Sequence, residues 1–360
     1  MMGYIDADTH VIEPEAAWSL MEPSETRWRP QPITTDGAQA HWPGFKRFWL
    51  FDGQLIPRGL QAHTMPGTPP DDLRSMENPL QRLSWMDRLG VETQVVIPSF
   101  FLVALIENPA TQVALARSYN RWMAGQCAES KGRLRWCLVA PYLDRDAAIE
   151  EVRFGAAHGA VSVLMRPIEG GRMVVDPYFY PLYAEVEKQN LAVGLHIGNT
   201  YIPVYQEPKA VMYSVVPMAA AFATVFVSDF ADRFPKLRFA FLESGCGWLP
   251  YVLHEISRGA DTAARAKVEI KETPLAGTNL FVDCTYDEDL NYVLKFAGPD
   301  NLVIGSDFGH TDFATDVDAH KQLLARTDID AKVLDKISNA NGRLLYGLGS
   351  PSAGQALKAA

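Results

Sequence analysis

Aspartate and histidine recur where the first short apolar run of the sequence ends. Asp6, Asp8 and His10 are spaced two residues apart, which places all three on one face of an extended strand. Asp8 and His10 at a strand end can together bind one metal ion. The alternative is that an aspartate caps the next turn while His10 is a core histidine, and an isolated Asp-x-His pair favours that alternative.

Three later apolar runs end in the same residue types, at His196, Glu243 and Asp307. Imidazole and carboxylate groups together suit zinc, manganese or iron. Burying several carboxylates without a cation is costly, so the combined pattern favours a metal site. We therefore expect one or two divalent ions per chain, with Glu243 bridging a second ion. The expected ligands are Asp8, His10, His196, Glu243 and Asp307.

The apolar runs alternate with longer amphipathic segments, as in repeated βα units. Strands are predicted at 4–10, 94–100, 133–141, 160–166, 192–196, 237–243, 280–283 and 301–307. Helices are predicted at 109–131, 146–158, 177–189, 215–233, 249–266, 287–296 and 316–326. This α/β pattern predicts a (β/α)8 TIM barrel, whose active site lies at the C-terminal ends of the strands. An open doubly wound sheet is the alternative, although no Gly-rich phosphate loop follows the first strand.

The chain is predicted to form a single barrel domain over residues 1–350, with a tail at 351–360. A long insertion after the first strand, at about 14–75, is rich in tryptophan and proline. A structureless loop of that length is unusual, so we expect a lid, a pocket wall or an oligomer contact. Simple packing of its aromatic side chains is an equal alternative.

The amino-acid composition limits the classes of partner that the protein can bind. The 360 residues carry 33 Lys plus Arg against 43 Asp plus Glu, a net charge of −10, without a basic run, which argues against nucleic acid and membrane surfaces. The four cysteines form no C-x-x-C pair, and the N-terminus does not resemble a signal peptide. We expect a cytoplasmic protein that acts on a small molecule.

Four further residues are secondary candidates. Arg166 at the fourth strand end is suited to a substrate carboxylate or to a plain salt bridge. His310 is a candidate ligand or proton shuttle, and otherwise a loop histidine with one hydrogen bond. Glu13 can join the metal cluster or stabilise a turn. Tyr286 can bind substrate or simply pack.

The motifs together resemble the amidohydrolase superfamily, in particular the branch that includes aminocarboxymuconate semialdehyde decarboxylase and the resorcylate decarboxylases. The matching segments are 5–14, 82–91 with 98–99, 176–178, 194–196, 234–250, 305–307 and 339–347. The resemblance implies a barrel whose metal is held by the first-strand motif, the strand 5 histidine and the strand 8 aspartate. It also implies a homo-oligomer, expected to be a dimer.

Two positions depart from the decarboxylase pattern. The first motif in those proteins is usually H-x-H or E-x-H, whereas here it begins with Asp8, and Glu243 occupies the position of their catalytic strand 6 histidine. Our primary expectation is therefore a metal-dependent hydrolase of an ester, thioester, lactone or amide, with Asp307 as general base and Glu243 assisting. A non-oxidative decarboxylase of an aromatic or unsaturated acid is the alternative. A catalytically inactive or oxygen-using barrel is the third hypothesis.

Overall fold

The structure is a computed structural model that describes residues 3–37, 45–58, 69–199, 211–260, 272–311 and 314–349. Within these ranges the strands are β1 Tyr4–Val11, β2 Gln31–Thr34, β3 Arg47–Phe51, β4 Gln54–Pro57, β5 Val91–Pro98, β6 Leu134–Val139, β7 Ala160–Met165, β8 Ile168–Glu169, β9 Arg172–Met173, β10 Ala192–His196, β11 Arg238–Leu242, β12 Leu280–Asp283 and β13 Leu302–Val303.

Eight of these strands form one parallel sheet in the order β1-β5-β6-β7-β10-β11-β12-β13. The two edges of the sheet approach each other after β13. The Ala7 N–H donates to the Ile304 carbonyl at 3.1 Å, and the Asp307 N–H donates to the Asp8 carbonyl at 3.0 Å. The sheet is therefore a nearly closed barrel, and the predicted TIM barrel is confirmed.

The last strand is much shorter than the predicted 301–307, because β13 ends at Val303. The reason lies in the backbone that follows. A Cβ atom at Gly305 would lie 2.4 Å from the Asp8 Cβ, so only glycine allows β1 to pass this closely. Asp307 then adopts a positive φ of 52°, which turns the chain out of the extended conformation.

Helices follow or precede the barrel strands. They are α1 Asp71–Arg74, α2 Pro79–Leu89, α3 Phe100–Val103, α4 Pro109–Cys127, α5 Arg145–Ala157, α6 Tyr180–Lys188, α7 Val211–Val227, α8 Phe230–Arg233, α9 Leu249–Ala260, α10 Leu290–Ala297, α11 Ala319–Leu324, α12 Ala331–Asp335 and α13 Asn341–Leu345. The predicted helix at 215–233 is two helices, α7 and α8, and the end of the one at 249–266 lies outside the described residues.

Helix α2 was not predicted, although its boundary signals are clear. The Asn78 side chain accepts a hydrogen bond from the Gln81 N–H, and Pro79 occupies the first turn. The helix ends at Gly90, whose φ of 76° is left-handed. This helix carries Arg82, which is fully buried beneath the first strand.

The insertion after β1 contains a small antiparallel sheet, in the order β2-β3-β4. Trp18 and Trp49 are buried, and the Trp18 ring lies 5.0 Å from the Phe100 ring at the start of α3. These two tryptophans therefore pack the insertion against the barrel. Trp42 and the predicted tail at 351–360 lie outside the described residues.

Among the described residues, no helix has both the length and the apolar character needed to cross a bilayer. The four cysteines are free and buried. Burial raises the pKa of the Cys127 and Cys137 thiols to about 12, which suits inert core residues.

Candidate metal centre

The C-terminal ends of the barrel strands bring the predicted ligands into two overlapping groups. The first consists of Asp8, His10, His196 and Glu243, and the second of His10, Glu243, Asp307 and His310. Within each group the candidate ligand atoms all lie within 4.8 Å of one another. The fold thus places Asp8 and Asp307, which are 299 positions apart in the sequence, on one rim of the barrel.

The two imidazoles face the carboxylates. His10 Nε2 lies 3.1 Å from Asp8 Oδ1 and 3.2 Å from Asp307 Oδ1. His196 Nε2 lies 3.0 Å from Glu243 Oε2 and 3.4 Å from Asp8 Oδ2. The Nδ1 of His196 is 2.7 Å from the Ile197 carbonyl, to which it donates, so its Nε2 faces the carboxylates.

The buried polar atoms of this cluster fit a metal ion. Both Asp8 carboxylate oxygens, His10 Nε2 and His196 Nε2 are buried and receive no hydrogen bond from described residues outside the cluster. Leaving such groups unsatisfied is costly, and carboxylate plus imidazole is a donor set that zinc, manganese and iron all accept. The described residues therefore form a candidate site for a divalent cation.

The pKa values of the two cluster histidines are shifted in opposite directions. Burial, followed by the nearby His310, holds the pKa of His10 well below its usual value, which keeps this imidazole neutral. Burial also acts to lower the pKa of His196, but the Asp8 and Glu243 carboxylates outweigh it and hold that pKa well above its usual value. His196 must lose this proton to ligate a metal, so metal binding is expected to release a proton.

Two of the carboxylates sit on unusual backbone. Glu243, directly after β11, and Asp307 both have a φ of 52°, in the left-handed region that residues with a Cβ seldom adopt. Such conformations cost about 1–3 kcal/mol each and cluster at functional sites. Here they turn the two side chains toward the ligand cluster at the ends of their strands.

A buried network fixes the first strand behind the ligands. Arg82 donates through Nη1 to the His10 carbonyl at 2.9 Å, through Nη2 to Thr9 Oγ1 at 3.0 Å and through Nε to Gln94 Oε1 at 2.8 Å. Its guanidinium lies 4.6 Å from the ring centre of Phe308, next to Asp307. Arg82 thus connects the backbone around both the first-strand and last-strand ligands.

Asp6 belongs to this supporting network and not to the metal cluster. Its carboxylate accepts hydrogen bonds from the Ser306 N–H at 2.8 Å and the Ser306 hydroxyl at 2.6 Å. The prediction that Asp6, Asp8 and His10 share one face is therefore wrong. The pairing of β1 with β5 shifts register between Asp6 and Thr9, which breaks the alternation on which that prediction depended.

A cavity of about 410 Å³ opens over the cluster, within the usual size range of small-molecule sites. Its described lining includes Asp8, Glu243, Asp283, Tyr286, Asp307 and Thr315. None of the described lining residues is Lys, Arg or His. A bound metal would therefore be the positive group available to an anionic substrate in this part of the cavity.

The secondary candidates have different positions. Tyr286 lines the cavity. His310 stacks on His10 with ring centres 3.7 Å apart, and its Nδ1 lies 2.8 Å from Asp307 Oδ1. Its Nε2 lies 2.8 Å from the hydroxyl of Ser99.

Arg166 and Glu13 are placed away from the cluster. Arg166 forms a buried two-pronged salt bridge with Glu169 at 2.8 and 2.9 Å, and it is not among the cavity-lining residues. Of the two partners expected for Arg166, a substrate carboxylate or a salt bridge within the protein, the structure contains the salt bridge. Glu13 is in neither ligand group; its carboxylate oxygens lie 3.0 and 3.1 Å from the Phe100 N–H, which begins α3.

Asp283 is a site residue that the sequence reasoning missed. It ends β12, lines the cavity and accepts hydrogen bonds from the Gly305 N–H at 3.1 Å and the Glu243 N–H at 3.4 Å. Burial and the nearby Asp8 raise the pKa of Asp283 well above its usual value. The sequence contained a sign of this residue, because Asp283 is a carboxylate at the end of the seventh predicted strand.

Comparison with known proteins identifies relatives along most of the chain. The family model described as Amidohydrolase matches residues 5–348. Gamma-resorcylate decarboxylase from Rhodococcus jostii (strain RHA1) is 31% identical over 158 residues, 40% of this chain and 48% of that protein. The match thus spans about half the length of that relative. 2-Amino-3-carboxymuconate-6-semialdehyde decarboxylase from Dictyostelium discoideum is 23% identical over 242 residues, 64% of this chain and 66% of that protein.

A solved amidohydrolase structure from Mycobacterium avium subsp. paratuberculosis K-10 superposes with a TM-score of 0.77 at 19% identity, covering 97% of this chain and 99% of that one. This similarity supports the barrel fold. The expectation of hydrolysis is contradicted, because the named curated relatives are decarboxylases. A glutamate at the strand 6 position is therefore not by itself a sign of hydrolysis.

Proposed function

Because the chain belongs to the amidohydrolase family, whose model matches residues 5–348, we propose that it is a metal-dependent non-oxidative decarboxylase. Its substrate class is an aromatic or unsaturated carboxylic acid. The observation that carries this proposal is the similarity to gamma-resorcylate decarboxylase and to 2-amino-3-carboxymuconate-6-semialdehyde decarboxylase. The buried carboxylate and imidazole cluster supports it, since it offers a divalent cation a site at the barrel mouth.

In this proposal the metal would be held by Asp8, His10 and His196 of the first ligand group together with Asp307 of the second, which share His10. A bound cation would supply positive charge that attracts the substrate carboxylate and stabilises the negative charge that develops on the substrate. Neighbouring side chains orient the residues that would bind the metal. Asp307 is fixed by the Thr315 hydroxyl, which donates to its Oδ2 at 2.6 Å.

Decarboxylation breaks the bond between the carboxyl carbon and the substrate, and the electron pair of that bond stays on the substrate carbon. One proton must then be delivered to that carbon. Glu243 lines the cavity and occupies the strand 6 position, where similar decarboxylases carry a catalytic histidine. We assign the proton to Glu243 Oε2, which also lies 3.0 Å from His196 Nε2.

The remaining lining positions the substrate. The Tyr286 hydroxyl and the Thr285 side chain offer hydrogen bonds to ring substituents, whereas Ile197 and Ala319 offer apolar contact. The Asp283 carboxylate accepts hydrogen bonds from the backbone N–H groups of Glu243 and Gly305. It thereby fixes the turn that carries the proposed acid.

The test is a product assay with metal-loaded protein. Purified protein supplemented with manganese or zinc is incubated with dihydroxybenzoates, carboxyvanillate and amino-carboxymuconate semialdehyde in D2O. We expect carbon dioxide release and one deuterium on the former carboxyl carbon of the product. Asp307→Asn should abolish release, and Glu243→Gln should slow it by about a hundredfold or more, in the range for loss of a general acid.

Asp232→Asn is the matched control, because Asp232 is exposed on α8 at the opposite end of β11 and should leave the rate unchanged. Fully metal-loaded protein that converts a substrate with incorporation of oxygen from water, and without carbon dioxide release, would refute the proposal.

A further inference from the structure

A second, smaller cavity lies between the insertion and the loop after β1. It encloses about 90 Å³, enough for a few water molecules or one small polyatomic ion. Its charged lining consists of Glu13, Arg47, Arg58, Asp71, Arg74 and Glu77. Three guanidinium groups thus border a space of small-ion size.

One of these guanidinium groups is incompletely satisfied. Arg74 is only 5% exposed, and it donates through Nε to the Gly309 carbonyl at 2.7 Å and through Nη1 to Asp71 Oδ1 at 3.2 Å. Its Nη2 is buried and has no hydrogen-bond partner among the described residues. A buried charged donor without a hydrogen-bond partner lowers the stability of the folded protein. We therefore expect an acceptor for this atom in the cavity that Arg74 lines.

The carboxylates that line the cavity do not cancel its positive charge. Asp71 is divided between Arg74 and Arg47, to which it lies 3.2 and 3.1 Å away, and Glu77 accepts from the Ser75 hydroxyl at 2.9 Å. Burial raises the pKa of Glu13 to about 8, so this group is mostly uncharged at neutral pH. Outside the lining, Glu15 Oε1 lies 3.7 Å from Arg58 Nη1 and offsets part of the positive charge, but none of these carboxylates reaches the buried Nη2 of Arg74.

The arginines also act on one another. Burial lowers the pKa of both Arg58 and Arg74. Glu15 beside Arg58 and Asp71 beside Arg74 oppose this shift, whereas the charge of the neighbouring Arg47 adds to it to a smaller extent. Like charges gathered around a cavity are stabilised by an anion, and the planar guanidinium group matches the geometry of an oxyanion.

We propose that this cavity binds one small oxyanion of the carboxylate, bicarbonate or phosphate class, held by Arg58 and the Nη2 of Arg74. The site is separate from the cavity over the metal ligands, since the described linings of the two share no residue. It is coupled to the metal centre through Arg74, whose Nε holds the carbonyl of Gly309 between Asp307 and His310. The anion therefore orders the loop that carries these two residues.

Calorimetric titration of inorganic phosphate into the metal-loaded protein, in a buffer free of other small oxyanions, tests the site. We expect saturable binding that weakens by about tenfold or more in Arg74→Gln and in Arg58→Gln, as for loss of a hydrogen bond to a charged group. Arg27→Gln is the matched control, because Arg27 is exposed, lies against Trp28 and does not line the cavity. Circular dichroism establishes that each variant is folded, and Arg58→Gln carries the test if Arg74→Gln does not fold.

Absence of saturable binding to the wild-type protein would overturn the proposal, as would equal phosphate affinity in the wild type and both folded variants. The binding test does not depend on decarboxylation. Parallel titrations of bicarbonate and acetate distinguish an inorganic oxyanion from an organic carboxylate as the preferred anion.

Discussion

Replacing Glu13 by glutamine is expected to remove a fall in stability that the wild-type protein undergoes as the pH rises from about 4.5 to about 8. Glu13 is 2% exposed, and burial raises the pKa of its carboxyl from the ordinary 4.5 to about 8, although backbone N–H groups partly oppose the effect. Between these two values the folded protein holds a proton that the unfolded chain has lost. Stability therefore falls as the pH rises through this window and is independent of Glu13 below it.

The size of the effect follows from the two pKa values. They differ by about 3.5 pH units, and one unit corresponds to 1.36 kcal/mol, so the full contribution is about 5 kcal/mol. At pH 8 the folded group is half ionised, which leaves about 4 kcal/mol. Glutamine keeps one carbonyl oxygen to accept from the Phe100 N–H, so Glu13→Gln is expected to preserve the start of α3.

Urea unfolding of the wild type and Glu13→Gln at pH 5, 6, 7 and 8, with a chelator present throughout, measures the effect. The difference in unfolding free energy should grow with pH in favour of the variant. Glu77→Gln is the control, because Glu77 is exposed and accepts a hydrogen bond from the Ser75 hydroxyl at the rim of the small cavity. A difference that stays constant from pH 5 to pH 8 would refute the assignment of a raised pKa to Glu13.

Three further outcomes are expected. Gly305→Ala should lower the free energy of unfolding by about 1–3 kcal/mol in urea, because its Cβ would lie 2.4 Å from the Asp8 Cβ, whereas Gly125→Ala, with open space around it, should not destabilise. Arg82→Lys should weaken metal affinity by about 10- to 100-fold in calorimetry without abolishing folding, since it removes donors that hold the first-strand ligand backbone. Removing the metal with a chelator should lower Tm, and adding manganese or zinc should restore it, because the cation would offset the cost of burying the Asp8 carboxylate beside the other cluster carboxylates.

The barrel could be predicted because parallel strands covered by helices are short apolar runs, and such runs are visible in sequence. The fifth and seventh predicted strands, 192–196 and 280–283, match β10 and β12. The last strand could not be predicted in full, because its length depends on how closely Gly305 approaches Asp8 across the closing edge. The three-stranded sheet of the insertion has mixed buried and exposed positions and gave no regular alternation.

The ligand cluster was predicted from strand ends alone, since the fold itself brings those ends together. The residues that hold the ligands in place were not predicted. Arg82 lies on a helix that was not predicted, and its partners Thr9 and Gln94 lie 73 and 12 positions away. The left-handed backbone of Glu243 and Asp307 likewise results from long-range packing and has no sequence signal of its own.

The charge balance of the cluster bears on the role proposed for Glu243. Asp8, Glu243 and Asp307 contribute three negative charges when ionised, and one divalent cation would leave a net charge of −1 beside neutral imidazoles. A substrate carboxylate entering the cavity would then meet like charge with no described cationic side chain to offset it. In the function proposed above, a proton on Glu243 would remove that repulsion and would be the one that the product carbon needs. A glutamate in place of the strand 6 histidine is therefore compatible with the proposed decarboxylation, because a carboxyl group can also deliver a proton.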